Sequence, residues 1–166
     1  MKRFPSGKLG KQTLEFFSAP HRAPVRPFAV LVFAWYEGKV LLCDIENRGW
    51  CIPGGRVEAN ESLIQAAKRE ALEEAGALID PMQYIGCFRM SETMPLKKQV
   101  RWAAAYAAHV EDLVEIDPNF ESRGRKLCKL EDLPKVYYHW NEQVADVFNY
   151  SQEVLNRLTE IEQYYT

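Results

Sequence analysis

Apolar residues come in short, nearly continuous runs in the first third of the chain. The run "PFAVLVFAWY" (27–36) is β-branched and aromatic, which is typical of a buried strand. An "EG" pair then separates it from "KVLLCDI" (39–45), and this spacing predicts a β-hairpin. "NRGWCIPGG" (47–55) predicts a short strand that ends in a Pro-Gly-Gly turn. Similar signals predict further strands at about 13–17, 82–90, 98–109 and 126–130.

Two segments have helical periodicity instead. The first begins near Asn60, a residue type that caps helix N-termini, and stops at Gly76, a residue type suited to the position after a helix. The second covers about 141–163 and has one apolar face, which we expect to pack on the sheet; a dimer seam is the alternative. A polar loop at 114–124 lies between them. Strands on both sides of a central helix, followed by a terminal helix, predict an α/β layered fold.

The length of 166 residues suits a single domain, which we place at 26–166. A Pro-containing stretch at 18–27 separates this domain from the N-terminal segment 1–25. Residues 1–26 carry six Lys or Arg residues against a single Glu. We interpret the segment as a basic, mobile arm; contact with an anionic substrate is the alternative.

Three glutamates, Glu70, Glu73 and Glu74, crowd onto one side of the first predicted helix. At about 100° per residue they lie within about 100° of one another. They border an apolar stripe formed by Ile64, Ala67, Ala71 and Ala75. A helix built only for solubility would carry its acids on the far side, whereas carboxylates at the rim of a buried face can hold a hard cation such as Mg²⁺ or Mn²⁺. A solvated, glutamate-rich flank is the alternative.

The spacing around these glutamates is more specific than the cluster itself. Gly55 is followed after five residues by Glu61 and, after seven more, by "REALEEAGA" (69–77). This pattern resembles the Nudix box, GX5EX7REUXEEXGU, at every fixed position, with alanine at both aliphatic (U) positions, where larger side chains are commoner. The preceding "IPGGRVE" (52–58) is also similar to that family, and the order of predicted elements extends the resemblance from about 26 to 160.

The resemblance implies an α/β/α sandwich with a mixed central sheet, and hydrolysis of nucleoside diphosphates linked to another group X. It implies that Glu70, Glu73 and Glu74 bind a metal ion, Mg²⁺ or alternatively Mn²⁺. The carbonyl group of Gly55 is a further candidate ligand. Such a metal polarises a phosphate and activates or orients a water molecule.

The resemblance also implies which residues support the site and which act in catalysis. Arg69 would orient a neighbouring glutamate through charge-assisted hydrogen bonds, its alternative being a surface pair with Glu73. Glu61 would support the site only if the chain there is still a loop or a distorted first turn, because an ideal helix turns it about 180° away from Glu70. Family members differ in their general base. Glu70 is the first candidate, and Glu121, which precedes "LEDLP" (130–134), is a second candidate and a potential metal ligand, or else an ordinary loop acid.

Substrate choice in this family depends on residues outside the box. The markers of ADP-ribose, dinucleoside polyphosphate, coenzyme A and NADH hydrolases are missing from their usual places. The chain is therefore most similar to the MutT-like branch, which hydrolyses nucleoside triphosphates, including oxidised purine nucleotides. The alternatives are a nucleotide-sensing domain without catalysis and an enzyme acting on ADP-ribose or RNA 5′ ends.

Two kinds of residue are candidates for contact with a base. Asn141 is a candidate for reading a purine, or else the N-cap of the last helix. Trp50, Trp102 and Trp140 could stack on a base, or else belong to the core. The identity of the base does not follow from these residues.

Composition indicates which partners and which cellular compartment to expect for this activity. A net charge of −2 gives no overall field that favours nucleic acid or an anionic membrane. The longest apolar run is too short to span a bilayer, and the N-terminus lacks the apolar core of a signal peptide. The four widely spaced cysteines indicate free thiols in a reducing compartment. We therefore expect a cytoplasmic enzyme, a monomer or homodimer, whose partner is a nucleotide.

Overall fold

The computed structural model describes residues 2–166. Its strands are β1 (Gly7–Leu9), β2 (Gln12–Ser18), β3 (Ala29–Tyr36), β4 (Lys39–Ile45), β5 (Gly49–Cys51), β6 (Gly54–Arg56), β7 (Ala77–Met94), β8 (Lys97–Leu113) and β9 (Ser122–Cys128). Its helices are α1 (Leu63–Ala75), α2 (Leu133–Val136) and α3 (Glu142–Tyr165), and a 3₁₀ turn at Leu130–Asp132 precedes α2.

All of these strands join one mixed sheet. Its order is β1-β2-β7-β8-β3-β4-β5, with β6 paired to β3 and β9 paired to β4. β3 and β8 run parallel, whereas the other pairs are antiparallel. Phe148 and Leu155 of α3 pack on one face around Phe33, and the alanines of α1 pack on the other face around Val32. The α/β/α sandwich with a mixed central sheet is therefore confirmed.

The predicted strands differ from the observed ones mainly in length. The turn residues Glu37 and Gly38 both have positive φ, 49° and 77°, which confirms the tight β3–β4 hairpin. β7 and β8 extend well beyond 82–90 and 98–109, and residues 122–124 of the expected loop belong to β9. These added residues are largely polar or exposed, and backbone pairing with a neighbouring strand holds them without an apolar signal.

The N-terminal segment is part of the sheet. β2 pairs with β7 from Thr13 opposite Ser91 to Ser18 opposite Gly86, and β1 folds back on β2. The interpretation of this segment as a mobile arm is therefore wrong for residues 7–18. The alternation of buried and exposed side chains along β2 explains why the segment joins the sheet. Leu14 and Phe16 are buried in the core, while the basic residues of the segment stay on exposed positions.

Helix α1 begins later than expected. Asn60 has a positive φ of 64° and lies in a turn, whereas Ser62 is the N-cap. The Ser62 hydroxyl accepts a hydrogen bond from the Gln65 N–H, and the Gln65 side chain accepts one from the Ser62 N–H, which forms a capping box. The helix ends as predicted at Gly76, which has the left-handed φ of 59°.

Compared with the predicted apolar stripe, the observed buried face of α1 is rotated about the helix axis toward Glu70 and Glu74. Ile64, expected on the apolar stripe, is 50 % exposed, and Ala66 is fully buried in addition to Ala67. At about 100° per residue, the centre of the buried face falls near Ala67 and Glu74. In residues 2–166 no helix, including the long α3, combines the length and apolarity needed to cross a membrane.

Candidate active site

Glu70, Glu73 and Glu74 line one pocket of about 490 Å³, which we call the carboxylate pocket. Their spacing places them on adjacent turns of one side of α1. Glu70 is buried, with 9 % exposure, and the other two are half-buried. The remaining walls are Ile45, Arg48, Gly54, Gly55, Arg56, Asn119, Phe120 and Glu121.

Glycines at 54 and 55 allow β6 to lie directly against α1 and β3. A β-carbon on Gly55 would lie 2.6 Å from Cδ and 2.8 Å from Oε2 of Glu70. A β-carbon on Gly54 would lie 2.6 Å from the carbonyl oxygen of Val30. A side chain at Gly54 would push β6 away from the backbone of β3, whereas a side chain at Gly55 would displace the Glu70 carboxylate. The Glu70 carboxylate therefore rests against the backbone of Gly55, which borders the pocket.

Burial raises the proton affinity of two of the carboxylates. Burial raises the pKa of Glu74 to about 8, with a further contribution from the adjacent Glu70, although the Gly54 N–H donates to Glu74 Oε1 at 3.0 Å. Burial also raises the pKa of Glu70, against the opposing effect of Arg69. A buried and a half-buried carboxylate lying side by side are an arrangement that a bound cation would stabilise.

Arg69 connects four groups at the rim of the carboxylate pocket. Its Nε and Nη2 donate to the two carboxylate oxygens of Glu61 at 2.7 and 3.0 Å, a bidentate pair. Its Nη1 donates to Glu70 at 2.8 Å and to Glu73 at 3.3 Å. Its Nη2 also reaches the Arg56 carbonyl at 2.9 Å. One guanidinium thus fixes both the entry loop and two of the three pocket carboxylates.

Glu61 lies in the loop before α1, which is the condition that its supporting role required. The Glu58 N–H donates to Glu61 Oε1 at 3.0 Å, and Arg26 donates to the carbonyl oxygens of Glu58 and Glu61 at 3.1 and 2.6 Å. The hydrogen bonds from Arg69 lower the pKa of Glu61 to about 2. Glu61 therefore holds Arg69 in place as a permanently charged partner.

The donor set fits a hard divalent cation by its chemistry. Glu70, Glu73 and Glu74 supply only oxygen atoms, which Mg²⁺ and Mn²⁺ prefer. Within residues 2–166, however, no three acidic, imidazole or thiol side chains are yet arranged as a ligand set. The hydrogen bonds explain this arrangement, because Glu70 and Glu73 face Arg69 while Glu74 faces the Gly54 N–H. Side-chain rotation would have to accompany metal binding.

The two remaining polar candidates from the sequence differ in position. Glu121 lies in the loop before β9 and borders the carboxylate pocket opposite α1. Asn141 is the N-cap of α3, and its side-chain oxygen accepts the Val144 N–H at 2.8 Å. This capping bond is the alternative role considered above. It uses one of the two lone pairs of the oxygen that a purine amino group would need.

An apolar cavity of about 390 Å³ adjoins the carboxylate pocket. The two spaces share Arg48, Gly54, Gly55 and Arg56. The other walls are Leu9, Leu14, Phe28, Ala29, Leu31, Phe33, Cys51, Ile52, Phe88, Met90, Ala103, Tyr137, Tyr138, His139 and Val144. An elongated ligand could therefore place charged groups beside the glutamates and an aromatic group in the cavity.

The family model of the NUDIX domain matches residues 25–148, about three quarters of the chain. This chain belongs to the Nudix family. The match includes the whole carboxylate pocket and all of the box residues. It stops short of most of α3 and does not include β1 or β2.

Curated relatives of this Nudix chain are bacterial. YtkD of Bacillus subtilis, provisionally named an 8-oxo-dGTP diphosphatase, is 35% identical over 109 residues, which cover 66% of this chain and 65% of YtkD. Phosphatase NudJ of Escherichia coli K12 is 31% identical over 86 residues, which cover 50% of this chain and 54% of NudJ. The chain thus spans less than two thirds of the length of these relatives.

Solved structures resemble the Nudix chain over a larger part of its length. A mutant of the Bacillus subtilis pyrophosphohydrolase BsRppH has a TM-score of 0.74 at 25% identity, covering 90% of this chain and 96% of that one. The MutT protein of Bacillus halodurans has a TM-score of 0.58 at 22% identity, covering 73% and 78%, and therefore supports the fold alone.

The sequence pattern did not reveal several residues that line the two spaces. Arg48 and Arg56 face both spaces, and Leu9 and Leu14 bring the N-terminal strands to the cavity. Arg56 follows the Gly-Gly pair inside the box and could have been noticed there. For Leu9 and Arg48 no local signal exists, because their place depends on which strands become neighbours.

The tryptophans considered for base stacking do not line the apolar cavity. Trp102 packs beside Phe17, and Trp140 stacks on Phe148 of the core. The Trp50 ring lies under the ammonium group of Lys126, with 4.5 Å between the nitrogen and the ring centroid. Tyr137 and Tyr138 are the aromatic rings that the cavity offers beside its phenylalanines.

Proposed function

We propose that this Nudix protein is a divalent-metal-dependent pyrophosphohydrolase that cleaves a nucleoside triphosphate to the monophosphate and pyrophosphate. The observation that carries the proposal is the junction of the two spaces at Gly54 and Gly55. A nucleotide has the matching layout, with a polyphosphate at one end and a flat, largely apolar base at the other. The provisional name of YtkD supports this substrate class, including oxidised purine nucleotides.

In this proposal, some side chains of the carboxylate pocket bind the metal ion and others hold the metal ligands in position. Mg²⁺ or Mn²⁺, held by Glu70, Glu73, Glu74 and the Gly55 carbonyl, would neutralise phosphate charge and activate water. Arg69 keeps two of these carboxylates in position and is itself held by Glu61.

A general base must take the proton of the attacking water. Glu70 is the first candidate, because it is the most buried of the pocket carboxylates and Arg69 fixes its orientation. Glu121 is the second candidate, since it borders the same pocket from the opposite loop. Arg48 and Arg56 lie where the two spaces meet and can neutralise phosphate oxygens that face away from the glutamates.

The cysteines support a cellular compartment for this function, and the box glutamates support catalysis. Cys43, Cys51, Cys87 and Cys128 are all free and buried, which supports a reducing compartment such as the cytoplasm. No box glutamate is replaced, which favours catalysis over a purely sensing domain.

The test is a panel of canonical and oxidised nucleoside triphosphates, ADP-ribose, dinucleoside polyphosphates and 5′-triphosphate RNA, assayed with Mg²⁺ and with Mn²⁺. We expect the highest kcat/KM for a triphosphate, with pyrophosphate as product. A tenfold higher kcat/KM for ADP-ribose or RNA would overturn the substrate class but leave the metal site standing. Tight binding without turnover across the whole panel would show a sensor instead.

A further inference from the structure

Cys43 and Cys51 lie directly opposite each other on β4 and β5, and Cys51 lines the apolar cavity that adjoins the carboxylate pocket. Directly opposed residues of an antiparallel pair point to the same face, with Cα atoms about 4.5–5.5 Å apart. This distance falls within the range of about 4.4–6.8 Å that a disulfide bridges. The Sγ atom of Cys43 lies 3.4 Å from the Cys51 carbonyl oxygen, and that of Cys51 lies 3.8 Å from the Cys43 carbonyl oxygen. The two thiols can therefore bond with little movement of the strands.

The two thiols are chemically unequal. Cys51 lines the apolar cavity beside Arg48, whose Nη1 lies 4.0 Å from its sulfur, whereas Cys43 is fully buried beneath it. The hydrogen bond from the Cys43 thiol lowers the pKa of Cys51 to about 7, and Arg48 adds to the effect. The same hydrogen bond, together with burial, raises the pKa of Cys43. This combination supplies one thiol that faces the cavity and ionises near neutral pH, and one protonated partner.

We propose that Cys43 and Cys51 form a peroxide-reactive dithiol that closes to a cross-strand disulfide. The proposal rests on the paired strands and the cavity, and it does not depend on the proposed function. Hydrogen peroxide is the oxidant, and it is small enough to reach Cys51 through the cavity.

The reaction balances in two steps. The Cys51 thiolate attacks a peroxide oxygen, the O–O bond breaks, and the departing hydroxide takes a solvent proton to become water. The sulfur, now a sulfenic acid, has lost two electrons to the peroxide. The Cys43 sulfur then attacks Cys51, the S–O bond breaks, and the hydroxyl leaves with the Cys43 proton as a second water.

The other two cysteines provide an internal control. Cys87 lies opposite Phe17 and Ala104, and Cys128 lies opposite Val40, so neither faces a thiol across the sheet. Burial raises the pKa of both. Both are therefore expected to react slowly with peroxide and to form no bridge within the folded chain.

The experiment treats the full-length protein with hydrogen peroxide, blocks remaining thiols with an alkylating reagent, and determines intact mass and non-reduced peptide maps. We expect the wild type to lose two hydrogen atoms and to give one crosslinked peptide pair, Cys43 with Cys51, which dithiothreitol reverses. In C43S, Cys51 should stop at a sulfenic acid that dimedone traps. In C51S the first oxidation should be roughly tenfold slower, because the thiolate fraction falls. The C87S/C128S variant should behave as the wild type.

Three results would overturn the proposal. The first is a folded wild type in which Cys43 and Cys51 remain alkylatable after peroxide treatment. The second is a C51S variant that oxidises as fast as the wild type, and the third is a crosslink that appears only in urea. All of these readouts are masses, so they are independent of whether the protein hydrolyses any nucleotide. Circular dichroism before treatment confirms that each serine variant is folded.

Discussion

The carboxylate pocket and the apolar cavity share a border but are built in different ways. Every glutamate on the α1 side of the pocket comes from a stretch of five residues, 70–74. The cavity instead takes its walls from β1, β2, β3, β7 and the segment before α3. One short segment of the sequence thus supplies the α1 glutamates of the carboxylate pocket, whereas strands that are distant in sequence form the apolar cavity.

Under the proposed function, this difference separates the residues that carry out the chemistry from those that select the substrate. Oxygen ligands and their positioning arginine must keep fixed spacing, which a single helix provides. The cavity must only offer apolar and aromatic area of suitable shape, which many combinations of residues supply. Changes in the pocket should therefore reduce turnover for every substrate, whereas changes in the cavity should alter the ranking of substrates.

The largest effect is expected for Glu73→Gln in the carboxylate pocket. Loss of one charged metal ligand should lower kcat for every nucleotide on the order of 10³-fold, because a metal supplies several kcal/mol of charge stabilisation. Folding should stay intact, since Glu73 is partly exposed. The measurement is kcat at saturating Mg²⁺, with Glu160→Gln on the exposed side of α3 as the matched control. Near-normal turnover in Glu73→Gln would remove this residue from the metal site.

Arg69→Lys should have the next largest effect. Lysine keeps the charge but cannot reproduce the two bonds to Glu61 and the bonds to Glu70 and Glu73. We expect metal affinity or kcat to fall about 10–100-fold, as for other residues that orient metal ligands. The concentration of Mg²⁺ needed for half-maximal activity gives the readout, and Lys68→Arg is the control. An unchanged metal requirement together with unchanged kcat would show that the Arg69 network is only a surface ion-pair cluster.

Tyr138→Ala tests the apolar cavity alone. Stacking of an aromatic ring on a base is worth about 1–3 kcal/mol, so KM for the preferred nucleotide should rise by roughly 5–150-fold. The Mg²⁺ requirement should stay the same, because Tyr138 does not border the carboxylate pocket. Tyr164→Ala, at an exposed position of α3, serves as control. If all substrates lost kcat equally, the separation between the two spaces would be incorrect.

Asn141→Ala should give the smallest effect on activity. Because its side chain caps α3, the free energy of unfolding should fall by about 1 kcal/mol, as for other N-caps. Relative kcat/KM values for purine and pyrimidine nucleotides should not change. Urea unfolding and the nucleotide panel check the two statements separately. A selective loss of purine turnover, with stability retained, would return Asn141 to the role of a base-reading residue.

Particular residues show how far the sequence alone could predict the site. Spacing from Gly55 to Glu74 predicted which glutamates share a pocket, because a helix fixes the direction of side chains three and four residues apart. The same reasoning placed the helix end at Gly76. It misplaced the N-cap at Asn60 because two good capping residues lie close together, and the positive φ of Asn60 decided in favour of Ser62.

The N-terminal strands show where such prediction fails. The charge of residues 1–26 suggested an arm, yet the alternation of Leu14 and Phe16 places β2 beside β7. Only the finished sheet order shows that Leu9 and Leu14 reach the apolar cavity. Charge on exposed positions carries little information about pairing, because only the buried face contributes strongly to the stability of a strand.

The sequence by itself determined the layered fold, the box and the carboxylates that face one pocket. All of these depend on short-range geometry, in which neighbouring residues fix one another's direction. The tertiary structure decided the cavity walls, the four-way contacts of Arg69 and the meeting of Cys43 with Cys51. These depend on strand order and register, which follow from the burial of the whole chain at once and have no signature in any single segment.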